Sequence, residues 1–315
     1  MTMESGWRIG VVIPAKNEEA HIKDVLETLP DWIDCAVVVN DGSTDNTGQV
    51  AKMAQTTCET FHLDGGGQGV GAAIDMGHQH LLGHFAEPFI SVVMAGDGQM
   101  DPSDIPSLIA PIIVGLADHV KGNREVHNEG FNRMPQSRQR ASRVLSWLTT
   151  LAAGQPIGDP QCGFTATSYR VLRTWNWNRS WKGYGYPNFW LINLSKVGWR
   201  IHEMPVKSIY RNEVSGIKPL SFFSRVGVMM TVEFHRRNLS WLLPGSMLPH
   251  TWFALMAYLL GWSALLPTIS NDLEHVLLER GVPAWILVLA WWTLAHLFDR
   301  SGTRTRRELH TYAPP

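Results

Sequence analysis

The chain has 315 residues, more than one compact core usually needs, which predicts a main domain and an accessory region. Its 27 lysines and arginines nearly balance its 28 aspartates and glutamates, and the net charge of −1 argues against a protein that binds nucleic acid. The three cysteines are widely spaced without a C-x-x-C pair, so they support neither a disulfide framework nor a zinc knuckle.

Strand and helix patterns alternate along the first third of the chain. Apolar and β-branched runs predict strands at 8–14, 35–40, 60–64 and 89–95, and the spacing of apolar residues predicts a helix after the first of them. The run at 89–95 is apolar throughout, as is typical of a strand at the centre of a sheet. This alternation predicts an α/β fold in which helices flank a mostly parallel sheet.

A glycine-rich segment at 65–71 leads into a predicted helix. Its sequence, GGGQGVG, matches neither the dinucleotide-binding fingerprint nor the P-loop. Two interpretations stay open: a turn that needs positive φ, or a loop whose backbone approaches a phosphate. The helix carries His78, His80 and His84, which we assign to a solvent-facing surface rather than to a metal site.

Two predicted strands end in acidic loops, VVVNDGSTDNT at 37–47 and SVVMAGDGQMDP at 91–102. Ligands of an open α/β sheet bind at the carboxyl ends of parallel strands, so we expect Asp41 and Asp97 to face one crevice. Two carboxylates in such a crevice suggest a nucleotide and a metal ion. Asp41 alone is also explained as a turn residue that satisfies local backbone donors.

Six segments occur in the order and approximate spacing of a known family: IPAKNEE, NDGSTDNT, GGGQGVGAAI, AGDGQMDP, KGNR and DPQCGF. Over about residues 8–220 the chain resembles the family 2 glycosyltransferases of the GT-A (Rossmann-like) fold, and among them the dolichol-phosphate mannosyltransferases and other polyprenyl-phosphate sugar transferases. The resemblance implies transfer of a hexose from a GDP- or UDP-sugar to a polyprenyl or dolichyl phosphate, with inversion at the anomeric carbon.

The resemblance also implies a donor site and a metal site. The residues that would bind the nucleotide sugar are Pro14, Ala15, Asn17, Glu18, Asp41, Gly69 and Asp97. Asp97 and Gln99 would hold Mg²⁺ or Mn²⁺, because a hard cation with oxygen ligands can neutralise a departing diphosphate. The family usually has a second acid two residues before Asp97, where this chain has Ala95.

An acceptor phosphate site is implied further along the chain. The residues that would form it are Arg124, Arg138, Ser142, Arg211 and Lys218, and the implied catalytic residues are Asp97, Asp159 and Arg124. Guanidinium groups suit phosphate oxygens, and the less favoured alternative is a basic helix exposed to solvent. A phosphate acceptor is already anionic and needs no general base. Asp159 would orient the substrate or act as a base, or it only closes a turn.

The sequence divides into a catalytic domain at 1–215, an amphipathic juxtamembrane segment at 216–240 and a C-terminal region at 241–315. Two long uncharged stretches in the last region predict a transmembrane hairpin with spans at about 247–266 and 282–298, since a span needs about 20 apolar residues. The same stretches could instead form the core of a soluble helical dimer. The amphipathic segment would lie either on the membrane surface or against the catalytic domain.

Charges around the predicted hairpin indicate its orientation. Arg236 and Arg237 precede the first span, and four arginines at 300–307 follow the second. The positive-inside rule therefore places both termini and the catalytic domain in the cytosol, in contact with the lipid bilayer. The N-terminus also lacks the basic start and apolar core of a signal peptide.

Two other functions remain open at this point. The same fold could act on a saccharide or lipid hydroxyl, which would require a general base. The substitution of an acid by Ala95 also leaves room for a non-catalytic membrane protein that binds a nucleotide sugar.

Overall fold

The structure is a computed structural model that describes residues 6–86, 88–126, 136–207, 209, 219–243, 248–265 and 284–312. The strands are β1 (Arg8–Ala15), β2 (Cys35–Asn40), β3 (Glu59–Asp64), β4 (Phe89–Val93), β5 (His119–Asn123), β6 (Thr165–Ser168) and β7 (Ile201–Pro205). The helices are α1 (Ile22–Glu27), α2 (Thr47–Met53), α3 (Val70–His84), α4 (Ile105–Ile113), α5 (Gln136–Ala153), α6 (Tyr169–Thr174), α7 (Tyr186–Val197), α8 (Pro219–Ser240), α9 (Pro249–Ser263) and α10 (Ala284–Tyr312).

Seven strands of the described residues form one sheet in the order β3-β2-β1-β4-β6-β5-β7. The prediction of a mostly parallel sheet is confirmed, because only β6 runs antiparallel to its neighbours β4 and β5. The apolar strand β4 lies between β1 and β6, near the centre, as its sequence predicts. The carboxyl ends of β1, β2 and β4 consequently lie at one edge of the sheet.

Helices cover both faces of the sheet, and alternate residues of each strand enter one or the other core. Ile9, Val11 and Ile13 of β1 pack with residues of α1 and α4, whereas Val12 packs with α3 and α7 on the opposite face. Burying one such side chain completely contributes about 1.5–3 kcal/mol. Gly77 lets α3 lie directly on β1, since a Cβ at that position would overlap the side chain of Val12.

The helix after the glycine segment forms as predicted, but its histidines differ in environment. His78 is buried, and its Nδ1 lies 2.8 Å from the Ser91 hydroxyl. Burial, with a smaller contribution from His119, lowers the pKa of His78 to about 3, so the ring is neutral. The assignment of His78 to a solvent-facing surface is therefore wrong, whereas His84 is exposed.

The amphipathic segment forms α8, and one face of this helix packs on the catalytic domain. Val226, Met229 and Met230 are buried in the same core as α3, α5 and α7. The opposite face leaves Val228 and Val232 exposed. Of the two sequence interpretations, packing against the catalytic domain is the one that the structure shows.

The predicted spans coincide only partly with helices. Helix α9 is shorter than the predicted 247–266, and α10 continues past 298 through Asp299 and the arginines. In the part of the chain that the structure describes, no helix is both long and apolar enough to cross a bilayer. The transmembrane hairpin therefore stays a prediction.

A buried ion pair joins the last helix to the rest of the molecule. The Arg237 guanidinium of α8 donates to the Asp299 carboxylate of α10, and the two side chains are 1% and 3% exposed. The same guanidinium donates to the Leu151 carbonyl at the end of α5. Three helices therefore meet at one charged contact.

We expect Asp299→Ala to lower the free energy of unfolding by about 3–5 kcal/mol, because it leaves the Arg237 charge buried and unpaired. Denaturant unfolding monitored by circular dichroism measures this loss. Glu308→Ala removes an acid from the exposed Arg304–Glu308 pair of the same helix and serves as the matched control, with little change expected. Equal effects of the two substitutions would contradict a structural role for the buried pair.

Candidate active site

A cavity of about 560 Å³ opens at the carboxyl ends of β1, β2, β4 and β5. Residues that follow these strands line it, among them Asp41, Asp97 and Arg124. The segment 161–164 before β6 also lines it, because antiparallel β6 begins where β4 ends, with Thr165 beside Val93. The expectation that Asp41 and Asp97 face one crevice is confirmed.

Asp41 holds the glycine-rich loop against the crevice. Its carboxylate is 4% exposed and accepts the Gly69 N–H at 3.0 Å (Oδ2) and 3.2 Å (Oδ1). Gly69 has φ +109°, and a Cβ there would lie 2.6 Å from the Lys182 carbonyl oxygen, so the turn requires glycine. A carboxylate has about four acceptor positions, so Asp41 can hold Gly69 and still accept from a ligand.

The end of β1 supplies Pro14 and Ala15 to the crevice, and the loop that follows supplies Glu18 but not Asn17. Asn17 has φ +57°, and its Oδ1 accepts the Thr44 N–H at 2.8 Å. Asparagine tolerates this left-handed conformation better than most residues. The structure therefore places Asn17 as a brace between two loops, and the other three residues at the cavity wall.

Asp97 and Gln99 lie together on the crevice wall beside Ala95. The Asp97 Oδ1 accepts the Gln99 N–H at 3.0 Å, which fixes the turn. Within the described ranges no group of three or more His, Cys, Asp or Glu side chains could hold a metal ion. One carboxylate and one amide oxygen suit a magnesium-like cation whose other ligands are substrate phosphates and water.

Arg124 and Asp159 form the closest ion pair at the crevice. The Asp159 Oδ2 accepts Arg124 N–H at 3.0 Å and Nε–H at 2.7 Å, and its Oδ1 accepts Nη2–H at 2.7 Å. Arg124 lines the crevice, whereas Asp159 is 1% exposed and lies behind it. A buried carboxylate that is occupied by a guanidinium suits an orienting role and does not suit a general base.

The acceptor residues implied by the sequence are placed only in part. Ser142 of α5 donates to Glu125 Oε1 at 3.0 Å, which sets this helix beside the residue that follows Arg124. The backbone of Arg138 lies in the first turn of α5. Arg211 and Lys218 lie outside the described residues.

The crevice also contains polar side chains that the sequence did not reveal, namely Lys16, Gln161 and Lys207. Gln161 Nε2 donates to Oδ1 of Asn188, which is fully buried on α7. Asn188 therefore orients a crevice residue. Lys207 follows β7 at the same edge of the sheet. A position just after a strand is the sequence pattern that could have identified it as a crevice residue.

One wall of the crevice depends on the loop that precedes α7. Gly183 and Tyr184 line the cavity, and the adjacent Lys182 carbonyl accepts the Gly71 N–H of α3 at 2.8 Å. Asp75 lies buried on the same helix. Burial raises the pKa of the Asp75 carboxyl to about 7, against smaller opposing effects of Ser180 and Lys182.

Comparisons with known proteins agree with this geometry. Residues 10–175 match the family model described as glycosyl transferase family 2. The UDP-N-acetylglucosamine–dolichyl-phosphate N-acetylglucosaminyltransferase of Methanococcus voltae is 30% identical over 217 residues, which cover 64% of this chain and 86% of that protein. The undecaprenyl-phosphate mannosyltransferase of Micrococcus luteus is 27% identical over 209 residues, 65% of this chain and 84% of that protein.

A solved structure shares the fold. Glucosyl-3-phosphoglycerate synthase from Mycobacterium tuberculosis, in complex with Mn²⁺, UDP-glucose and phosphoglyceric acid, superposes with a TM-score of 0.53 at 22% identity. The match covers 74% of this chain and 80% of that one. The GT-A architecture expected from the sequence is therefore present.

We expect Asp75→Asn to abolish the part of the pH dependence of folding stability that arises from the buried Asp75 carboxyl. The unfolded carboxyl releases its proton near pH 4, whereas the folded one keeps it to about pH 7. This contribution to stability is fully present below about pH 4 and is lost as the pH rises through about 7. The variant should gain melting temperature relative to the wild type at about pH 8, measured by differential scanning calorimetry.

The exposed Asp31→Asn substitution is the control for this experiment. This substitution removes a carboxylate that is exposed to solvent rather than buried. If Asp75→Asn and Asp31→Asn change the pH profile equally, burial of Asp75 is not the cause.

Proposed function

This chain belongs to glycosyl transferase family 2, and we propose that it transfers a hexose from a GDP- or UDP-sugar to a polyprenyl or dolichyl phosphate with inversion at the anomeric carbon. The observation that carries the acceptor class is the course of α5. In this helix the Ser142 hydroxyl donates to Glu125, the residue after Arg124, and Leu148, Leu151 and Ala152 near its end line an apolar cavity. The helix would therefore join a binding surface for phosphate to one for a lipid chain.

The donor would bind at the carboxyl ends of β1, β2 and β4. Asp41 offers acceptor positions to the base or ribose, and Asp97 with Gln99 would hold Mg²⁺ or Mn²⁺ at the diphosphate. Such a cation neutralises charge on a departing nucleoside diphosphate. The solved structure with Mn²⁺ and UDP-glucose supports this class of donor and cofactor.

The acceptor phosphate would bind beside Arg124. Asp159 keeps the Arg124 side chain at the crevice wall. The Ser142 hydroxyl donates to Glu125, the residue that follows Arg124. A phosphate oxygen is anionic near neutral pH and attacks the anomeric carbon without a general base. Because Asp159 is engaged by Arg124, the geometry favours this acceptor over a hydroxyl, which would need its proton removed.

The lipid chain would occupy a second cavity of about 480 Å³ between the helices. Leu148, Leu151 and Ala152 of α5 form one wall. Residues of α8, α9 and α10 complete it, among them Met230, Phe234, Tyr258, Trp262, Trp292 and Ala295. Two relatives named for dolichyl- and undecaprenyl-phosphate acceptors support this assignment.

Membrane attachment is part of the proposal. Helices α9 and α10 carry large exposed apolar side chains, including Trp252, Phe253, Leu259, Trp285, Leu289 and Leu297. Large exposed apolar surface marks a membrane or protein contact. We assign it to the bilayer, with the catalytic domain and both termini in the cytosol, because arginines flank the two helices and the acceptor is a membrane lipid.

We expect purified enzyme to label polyprenyl phosphate when it is incubated with a panel of radiolabelled GDP- and UDP-sugars. Asp97→Ala or removal of divalent cations should reduce transfer by at least about 10²-fold, since the charge of the departing diphosphate is then unbalanced. Chromatography of the extracted lipid measures the product. Donor binding without turnover across the panel would identify a non-catalytic protein, and transfer only to hydroxyl acceptors would identify the rival activity.

We expect Gly227→Trp to raise the KM for a long polyprenyl phosphate about tenfold, which corresponds to about 1.4 kcal/mol. Gly227 lines the apolar cavity, and a Cβ there has no atom within 4 Å, so the new ring enters open space. The KM for the donor and for a short-chain acceptor should stay unchanged. Steady-state kinetics with two chain lengths separates these effects.

Gly83→Trp is the matched control. Gly83 also lies in a helix and has no atom within 4 Å of a Cβ, but it is exposed and does not line the cavity. If Gly227→Trp and Gly83→Trp give the same KM for the long acceptor, the cavity does not bind the chain.

A further inference from the structure

A second ion pair lies directly behind the pair of Arg124 and Asp159. Lys121 of β5 and Glu203 of β7 are register partners in neighbouring parallel strands, and Lys121 Nζ lies 3.4 Å from Glu203 Oε1. The Lys121 side chain is 1% exposed. Burying an ammonium group is costly unless it is paired and hydrogen-bonded, so this arrangement needs a structural reason.

The pair holds both backbone polar groups of one residue, Gly158. Glu203 Oε1 accepts the Gly158 N–H at 2.7 Å, and Lys121 Nζ donates to the Gly158 carbonyl at 2.7 Å. Asn123 Nδ2 donates to Glu203 Oε2 at 2.8 Å, which fixes the carboxylate itself. Gly158 is therefore held on two sides by side chains from two strands.

The residue after Gly158 is Asp159, whose φ of +29° is unusual for a residue other than glycine. Such a conformation costs of the order of 1–3 kcal/mol and persists only where the surroundings impose it. A Cβ on Gly158 would lie 2.6 Å from Asn123 Nδ2 and 2.9 Å from Glu203 Oε2, so the approach also requires glycine. Besides the bonds that Asp159 itself makes to Arg124 and to the Cys162 N–H, the contacts to Gly158 restrain the backbone that leads into Asp159.

We propose that Lys121 and Glu203 are positioning residues for sugar transfer: they clamp Gly158 and thereby hold Asp159 in the conformation that keeps Arg124 at the crevice wall. The inference rests on the proposed function for its catalytic consequence. Neither side chain lines the crevice among the described residues. They act through Gly158, Asp159 and Arg124, in that order.

The chain contains a matched control at the opposite end of the same two strands. Asp118 precedes β5 and accepts Arg200 Nε–H at 2.8 Å and Nη2–H at 2.9 Å, where Arg200 precedes β7. The side chains of Asp118 and Arg200 are 3% and 18% exposed, and those of Lys121 and Glu203 are 1% and 26% exposed. If the Lys121–Glu203 pair had a purely structural role, breaking it and breaking the Asp118–Arg200 pair should change kcat/KM to the same extent.

The test compares Glu203→Ala, Glu203→Gln and Asp118→Ala in the full chain. We expect Glu203→Ala to lower kcat/KM for transfer by about 10²-fold, the cost of a displacement of about 1 Å in a positioned group. Glu203→Gln keeps an oxygen that can accept the Gly158 N–H and should recover much of the rate. Asp118→Ala should lower the melting temperature while kcat/KM stays within about twofold of the wild type.

Hydrogen exchange measured by mass spectrometry provides a readout that needs no acceptor. The amides of Gly158 and Arg124 are bonded to the Glu203 and Asp159 carboxylates, so both should exchange faster in Glu203→Ala and not in Asp118→Ala. If the wild type transfers no sugar, the proposed function fails. The exchange experiment then still tests whether Glu203 holds Gly158 and Asp159 in place. The positioning role of Lys121 and Glu203 would be overturned by either of two results. One is unchanged exchange at Gly158 and Arg124 in Glu203→Ala, and the other is an equal loss of kcat/KM in Glu203→Ala and Asp118→Ala.

Discussion

The bond between the Asp159 carboxylate and the Arg124 guanidinium is the contact on which the geometry of the crevice depends. It joins the end of β5 to the loop between α5 and β6, two segments 35 residues apart. Two hydrogen bonds from the guanidinium to one buried carboxylate fix its direction, because its planar fork allows few geometries, and a third bond holds the Arg124 backbone N–H. The pair also explains how a strained backbone persists at Asp159: the strain is offset by charge-assisted bonds and by the groups that hold Gly158.

The antiparallel direction of β6 has a functional consequence that a fully parallel sheet would lack. Parallel strands deliver only the residues that follow them to the carboxyl edge. Because β6 runs the other way, the residues before it, including Gln161, reach the same edge. The crevice is thus walled by loops that enter from both chain directions, and Asn188 of α7 can orient Gln161 from behind.

Much of this architecture follows from the sequence, and the limits have physical causes. Strand runs and strand-end acids predict the sheet and the shared crevice of Asp41 and Asp97, because both depend on local patterns. The contact of Lys121 with Glu203 spans 82 residues and depends on strand register, which local patterns do not encode. The short polar strand β6, TATS, lacks a period-2 apolar signal. Helix α10 also continues beyond the predicted span end at about 298, because arginine remains a good helix former where the apolar character stops.

Ala95 affects the net charge of the crevice as well as the number of metal ligands. The charged side chains of its described lining are three acids and three bases: Glu18, Asp41, Asp97, Lys16, Arg124 and Lys207. A second acid at position 95 would make this set net negative and would repel a diphosphate until a cation bound. With Ala95 this repulsion would be smaller, and in the proposed donor complex Lys16 and Lys207 would balance part of the diphosphate charge that a divalent cation would otherwise balance. In the proposed function, Ala95 would therefore move part of the charge balance from the cation to these two lysines, while Asp97 stays at the crevice wall.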